Sequence, residues 1–231
     1  MIISHKYKFI FLKTRKTAGT SIEIALSQFC DANDVITPIK KKDELTRKAK
    51  GYLGPQNHNV PRHKYSKLEW ISYIRTARRK QFYNHADAQF IRDCIGEQVW
   101  NSYFKFSFER DPFDKAISRY YWSTREPRPD ISHYLSSAPV DLLSNWNIYT
   151  INDQIAVDFI GRYENLNNDL ASICSKIGLP GELSLPRAKS SYRKSREHYS
   201  KVLNAEARSR IEIVCAKELS AFNYCWTNSQ A

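Results

Sequence analysis

Lys16, Thr17, Ala18, Gly19, Thr20 and Ser21 sit between an apolar run, Phe9-Ile10-Phe11-Leu12, and an apolar-periodic segment. A cation, a glycine and hydroxyls just ahead of a helix suit the holding of an anion. The first N–H groups of a helix lack intrahelical acceptors, and the helix dipole favours negative charge there. The stretch is not a Walker A loop, Gly-x-x-x-x-Gly-Lys-Ser/Thr, because its lysine precedes its single glycine. An ordinary capped turn has the same composition, so the loop alone leaves both readings open.

A second group lies further on. Arg110 precedes Asp111-Pro112, a helix-start signal, and Ser118 falls on the helix that follows. An arginine can fork onto a phosphate with two hydrogen bonds, and a nearby serine can donate a third. The competing reading pairs Arg110 with Asp114 and leaves Ser118 a surface residue. His85 is the first choice for a proton acceptor, because imidazole titrates near neutral pH. His58, His63, Glu23 and Glu109 are its rivals, with Glu23 better placed to support the loop. A late basic, Ser-rich stretch holds Lys189, Ser190, Ser191, Tyr192 and Arg193.

These residues need elements to position them. Phe9–Leu12 reads as a short buried strand, and Ile22, Ala25, Leu26 and Phe29 mark one helix face. Val35-Ile36-Thr37 is a second strand. A basic stretch over 39–80, helical from about residue 65, reads as an insertion or lid. Phe82 to His85 ends a strand, and residues 86–95 are helical. Phe104, Phe106 and Phe108 alternate with Lys105 and Ser107, which is strand periodicity. A helix follows Asp111, residues 124–147 read as loop, and 157–160 as strand. Helices from Asn165 and over 205–222 complete the chain. Alternating strands and helices predict an α/β fold with a mostly parallel sheet, whose ligands sit at carboxyl ends of strands.

The chain has 231 residues, enough for one domain, and 42% hydrophobic content supplies a core. No run of 18 apolar residues and no leader pattern occurs, so a cytoplasmic protein without a membrane span is expected. Five cysteines at unpaired spacings read as buried reduced thiols. The net charge is +12; residues 38–80 carry thirteen Lys/Arg against three Asp/Glu, and residues 187–201 carry six against one. Such charge calls for an anionic partner. Nucleic acid is not expected, since no nucleic-acid-binding motif accompanies it.

Taken together, these stretches resemble the sulfotransferase family. Lys16-Thr17-Ala18-Gly19-Thr20-Ser21 looks like that family's 5′-phosphosulfate loop, Pro-Lys-Thr-x-Gly-Thr-Ser, with Arg15 in place of the proline. Phe108-Glu109-Arg110-Asp111-Pro112, then Ser118 and Tyr120-Tyr121, resembles its 3′-phosphate motif. Arg162-Tyr163-Glu164-Asn165-Leu166 and Leu219-Ser220-Ala221-Phe222-Asn223-Tyr224 are similar to further segments of the carbohydrate-type branch with soluble bacterial relatives. The resemblance implies a P-loop-like three-layer sandwich over residues 1–231, with helices on both faces of the sheet. It implies 3′-phosphoadenosine-5′-phosphosulfate (PAPS) as donor, the product PAP, and an anionic or neutral glycan acceptor, with no metal required. Lys16 then stabilises leaving-group charge, residues 17–21 hold the 5′-phosphate, Arg110 and Ser118 hold the 3′-phosphate, and Lys189 to Arg193 stand where relatives bring a late loop over the nucleotide, with Arg193 a candidate phosphate ligand. His85 resembles the base of some uronyl 2-O-sulfotransferases.

Two other classes compete. A P-loop nucleotide kinase lacks its lysine position and its magnesium carboxylate here. A non-enzymatic module binding anionic polymer through 38–80 would bind in a strongly salt-dependent way.

Overall fold

Alternate residues of the central strands feed two separate apolar clusters, one on each side of a sheet. The computed structural model of the chain describes residues 1–181, 183–186 and 197–228. Its strands are β1 Ile2–Ser4, β2 Phe9–Phe11, β3 Val35–Ile36, β4 Phe104–Glu109, the hairpin β5 Thr150–Ile151 with β6 Gln154–Ile155, and β7 Phe159–Arg162. The main sheet runs β3-β1-β2-β4-β7. β2, β4 and β7 pair parallel, and β1 pairs antiparallel with both β2 and β3.

The helices are α1 Gly19–Leu26, α2 Lys41–Ala49, α3 Lys67–Thr76, α4 Ala88–Ile95, α5 Glu97–Ser102, α6 Pro112–Ser123, α7 Ile131–Ser136, α8 Val140–Leu143, α9 Trp146–Tyr149, α10 Leu166–Lys176, α11 Ala205–Val214 and α12 Ala216–Ala221. Ile3, Ile10 and Leu12 pack with Ala88, Ile91 and Cys94 of α4 and Trp100 of α5. Ile2, Phe9, Phe11, Phe106 and Phe108 pack with Ile22 and Leu26 of α1 and with Leu170 and Ile173 of α10. A third cluster joins α6, α7, α8 and α11 through Phe113, Ile117, Leu135, Leu143 and Ile211. Each fully buried Phe or Ile contributes roughly 1.5–3 kcal/mol, so both faces of β2 and the Phe face of β4 dominate the core. The fold is mixed α/β with a parallel centre and helices on both faces.

The alternation in β4 is real, yet its second face is buried too. Ser107 Oγ donates to the Leu12 carbonyl at 2.8 Å. Lys105 Nζ reaches Asp158 at 2.8 Å and the Trp100 carbonyl at 3.1 Å. Polar side chains survive there because each has a partner.

Several elements differ from the sequence reading. Ile2–Ser4 carries no periodicity and yet forms the strand between β2 and β3. Residues 124–147, expected as loop, hold α7, α8 and the start of α9. Asp130 and Pro139 there cap helices: Asp130 accepts the His133 N–H at 2.8 Å and Pro139 precedes α8. Phe82–His85 is no strand: only Gln81 bridges, to Asn59, and His85 has a left-handed φ of 63°. β7 lies two residues later than predicted, and the last helix breaks at Cys215. Four cysteines are buried and Cys225 is exposed. Among the described residues no helix is long and apolar enough to cross a membrane.

The basic segment is tied into the core at several points. Gln56 bridges Ile36, Val60 and Tyr65 enter the first cluster, and the Arg47 side chain is wholly buried.

Candidate active site

The carboxyl ends of β2 and β4 open on a cleft of about 360 Å³. The loop after β2 forms one wall. Lys16 and Ala18 take left-handed φ values of 65° and 59°. A backbone reversed twice in three residues turns its N–H groups into one concavity, which is anion-binding geometry. α1 then starts at Gly19, where a Cβ would stand 2.8 Å from Lys13 Cγ and 3.3 Å from the Thr14 carbonyl. Glycine is therefore required for the helix start to lie against the strand end. The Ser21 N–H is taken by the Ala18 carbonyl at 2.8 Å. No acceptor among the described residues takes the backbone N–H groups of Thr17, Ala18 and Gly19.

Lys16, Ala18, Gly19, Thr20 and Ser21 all line the cleft. Thr17 does not. Its hydroxyl meets Thr14 Oγ1 at 2.8 Å, and the Thr14 hydroxyl also donates to the Phe108 carbonyl. The two threonines thus fasten the loop to β4.

Beneath the loop, Glu23 is wholly buried on α1. Lys13 Nζ lies 2.6 Å from it, the Met1 ammonium 3.1 Å and Arg47 3.5 Å, and Thr37 Oγ1 donates to it at 3.0 Å. Burial alone would raise its pKa; the Met1, Lys13 and Arg47 charges outweigh that and hold it at about 2. Lys13 and Glu23 are consequently a foundation for the loop, and Glu23 has no access to a substrate.

Arg110 closes the other wall from the end of β4. Its Nε donates to Asp114 at 2.9 Å and its Nη2 to the same carboxylate. Its Nη1 donates to the Lys16 carbonyl at 3.1 Å, and its guanidinium lies 4.0 Å from the Tyr163 ring centroid. The Asp114 pairing weighed from the sequence is present. Three of the five guanidinium N–H groups are engaged, and the group still lines the cleft beside Ser118. Asp114 therefore aims the arginine as well as neutralising it.

A buried network fixes Arg110 and the loop to each other. Glu109 accepts from the Arg110 N–H at 2.9 Å, Lys115 Nζ at 2.9 Å, Asn145 Nδ2 at 3.2 Å and the Tyr149 hydroxyl at 3.1 Å. Lys115 also faces Glu218 at 3.8 Å. Asn145 Oδ1 accepts the Arg15 N–H at 3.0 Å and its Nδ2 donates to the Arg15 carbonyl at 3.1 Å. Glu109, considered as a base, is thus fully committed and buried.

His85 lines the cleft and is half-buried. Its Nδ1 lies 2.8 Å from the Lys13 carbonyl. A carbonyl only accepts, so Nδ1 carries the proton and Nε2 carries the lone pair. Burial is the main force pushing its pKa down to about 3; the Lys13 hydrogen bond works the other way, and the Lys13 and Arg15 charges push further down. His58 and His63 are not in the cleft wall. Lys189, Ser190, Ser191, Tyr192 and Arg193 lie outside the described residues.

Sequence reasoning missed Arg119, Trp122 and Tyr163 in the wall and Lys115 and Asn145 behind it. Trp122 was within reach: it follows Ser118 by four residues, one turn along α6. Its ring gathers Lys40 at 4.3 Å, Arg119 at 4.7 Å and Lys16 at 5.7 Å. Asn145 had no signal, because a lone Asn in a stretch read as loop announces nothing.

Compared with known proteins, the chain is 38% identical over 104 residues to an uncharacterized protein of Archaeoglobus fulgidus, covering 42% of this chain and 87% of the relative. No solved structure matches. Residues 1–225 match the Sulfotransferase family, nearly the whole chain and with both cleft walls inside the match, so the chain belongs to that family.

Proposed function

We propose that the protein moves a sulfuryl group from PAPS to an acceptor hydroxyl of a carbohydrate or glycoconjugate. One observation carries the reading. Two anion-holding walls, the α1 loop and Arg110 with Ser118, face one cleft whose described lining holds Lys13, Arg15, Lys16, Arg110 and Arg119 and no carboxylate. That donor set fits a nucleotide with separated anionic groups, and the loop resembles a P-loop in its use of backbone donors at a helix start.

When bound, the donor supplies an activated sulfuryl group on a phosphate. The N–H groups of Ala18 and Gly19, with the hydroxyls of Thr20 and Ser21, hold the 5′ end. Arg110 and Ser118 hold the 3′-phosphate. The Lys16 ammonium stabilises negative charge that develops on the leaving side. His85, fixed through Nδ1, takes the acceptor's hydroxyl proton at Nε2 once the anionic groups of a bound donor offset the burial that holds its pKa low in the empty cleft. Arg15 and Arg119 have no acidic partner among the described residues, and Arg119 Nε is buried without a hydrogen bond. They suit an acceptor carrying its own anionic substituent.

Calorimetry with PAP tests the reading. Wild-type protein is expected to bind, Arg110→Ala to lose at least about tenfold in affinity, and Lys16→Ala to keep affinity while losing transfer of labelled sulfate to a glycan panel. Absence of PAP binding at low salt ends the proposal.

A further inference from the structure

Among the described residues, helix α3 is the α-helix with no buried residue, although its partly buried Tyr73 packs against the first apolar cluster. At about 100° per residue, Leu68, Ile71 and Ile74 share one arc of about 120° with Lys67 and Arg75. Leu68 is 78% exposed, Ile71 46% and Ile74 77%. The opposite side is anchored. Trp70 and Tyr73 pack at 5.6 and 6.2 Å on Tyr65, and Ser66 with Glu69 forms a reciprocal cap at the N-terminus. The excursion is also closed at its base, where the Val60 N–H meets the Lys80 carbonyl at 2.9 Å and the Phe82 N–H meets the His58 carbonyl at 2.8 Å. The aliphatic arc is therefore held outward by a rigid mount.

The charge around it has one sign. Residues 62–80 carry seven Lys/Arg and a single acid, Glu69, which lies 2.6 Å from Lys80. Lys64, Lys67, Arg75, Arg78 and Arg79 are exposed. Three adjacent aliphatic side chains on a convex helix, ringed by cations, do not suit a saccharide, which offers hydroxyls to be bonded. They do not suit a second copy of the chain either, because the net charge of +12 opposes it. Such a face matches the boundary of a lipid bilayer, where aliphatic groups enter the acyl region and Lys/Arg meet anionic headgroups.

We infer that α3 docks the protein on an anionic membrane surface, with Leu68, Ile71 and Ile74 inserted and the flanking cations on the headgroups. This is a peripheral contact, separate from the cleft.

Flotation of the full chain with vesicles tests it. One set is phosphatidylcholine alone and the other contains roughly 30% phosphatidylserine, in about 0.1 M salt. The protein is expected to float with the anionic set and not with the neutral one. The variant Leu68→Gln/Ile71→Gln/Ile74→Gln is expected to lose at least about tenfold in partitioning, since each side chain gives up apolar burial. Its circular dichroism and Tm are expected to stay at wild-type values. Equal flotation of the variant makes the attraction one of charge alone and overturns the insertion. No flotation with the anionic set overturns the inference. So does a wild-type dimer in sedimentation velocity that the triple variant converts to monomer.

Discussion

Lys115→Met tests whether the buried network behind the cleft holds its two walls together. The lysine side chain is 2% exposed and lies 2.9 Å from Glu109 and 3.8 Å from Glu218, which are 0% and 1% exposed. Methionine keeps the length and removes the charge. Two buried carboxylates then share no cation, and Glu218 Oε2 already lacks a hydrogen-bond partner among the described residues. Removing one member of a buried pair costs about 3–5 kcal/mol. In a chain of this size each kcal/mol lowers Tm by roughly 2–4 °C, so a fall of about 6–20 °C is expected. Urea unfolding should agree. Glu109→Gln in the Lys115→Met background should recover part of the loss, with a coupling of about 0.5–3 kcal/mol. The pH dependence adds a signature. Burial opposes the charge on Lys115, but Glu109 and Glu218 outweigh it and hold its pKa above the ordinary 10.5. A raised lysine contributes stability fully present below the unfolded value and lost as pH rises through the folded one. The fall of wild-type stability above about pH 10.5 should thus be steeper than that of the variant, which keeps only the other alkaline groups such as Lys80. A variant within about 1 kcal/mol of wild type, with no coupling to Glu109, refutes the reasoning.

His85→Asn is expected to lower kcat by about 10²–10⁴ while leaving PAP affinity unchanged; a variant within a few-fold of wild type removes the histidine from proton transfer. Because folding depresses the His85 pKa from 6.5 to about 3, the unfolded chain takes up a proton that the native state refuses. Stability should fall as pH drops from about 6.5 towards 3, and less steeply in His85→Asn. Gly19→Ala should weaken both folding and PAP binding, by about 1–3 kcal/mol in stability, because its Cβ would meet Lys13 at 2.8 Å. Calorimetry showing full PAP affinity at wild-type Tm would contradict the close packing of α1 on β2.

The legible part of the fold is the part with strong local periodicity. β2 and β4 are dense in Phe and Ile and are flanked by helices whose apolar faces repeat at helical spacing, so their type and order followed from the chain alone. Asp111-Pro112 marked the start of α6 to the residue, since a carboxylate cap and an N1 proline act locally. What stayed hidden depends on distant partners. Ile2–Ser4 becomes a strand only because β2 and β3 flank it. The prolines of 124–147 serve a turn or a helix start equally well, and packing in the third cluster decides for helix.

The site divides in the same way, and for a reason that bears on function. The cleft residues that sit in local patterns were legible, Gly19 at a helix start and Ser118 on the helix that follows Arg110, whereas Arg119, Trp122 and Tyr163 in the same wall were not. Residues that hold the walls in register are joined across the chain instead. Asn145 lies 130 positions from Arg15 and still clamps both of its backbone polar groups, and through Glu109 the same side chain reaches Arg110. The two cleft walls come from separate strands, β2 and β4, and under the proposed function a displacement of either by about 1 Å would spoil in-line positioning. The buried Glu109–Lys115–Glu218 group and Asn145 supply the common reference for both walls. Loss of Lys115 should therefore weaken PAP binding along with stability, although Lys115 is not in the cleft wall.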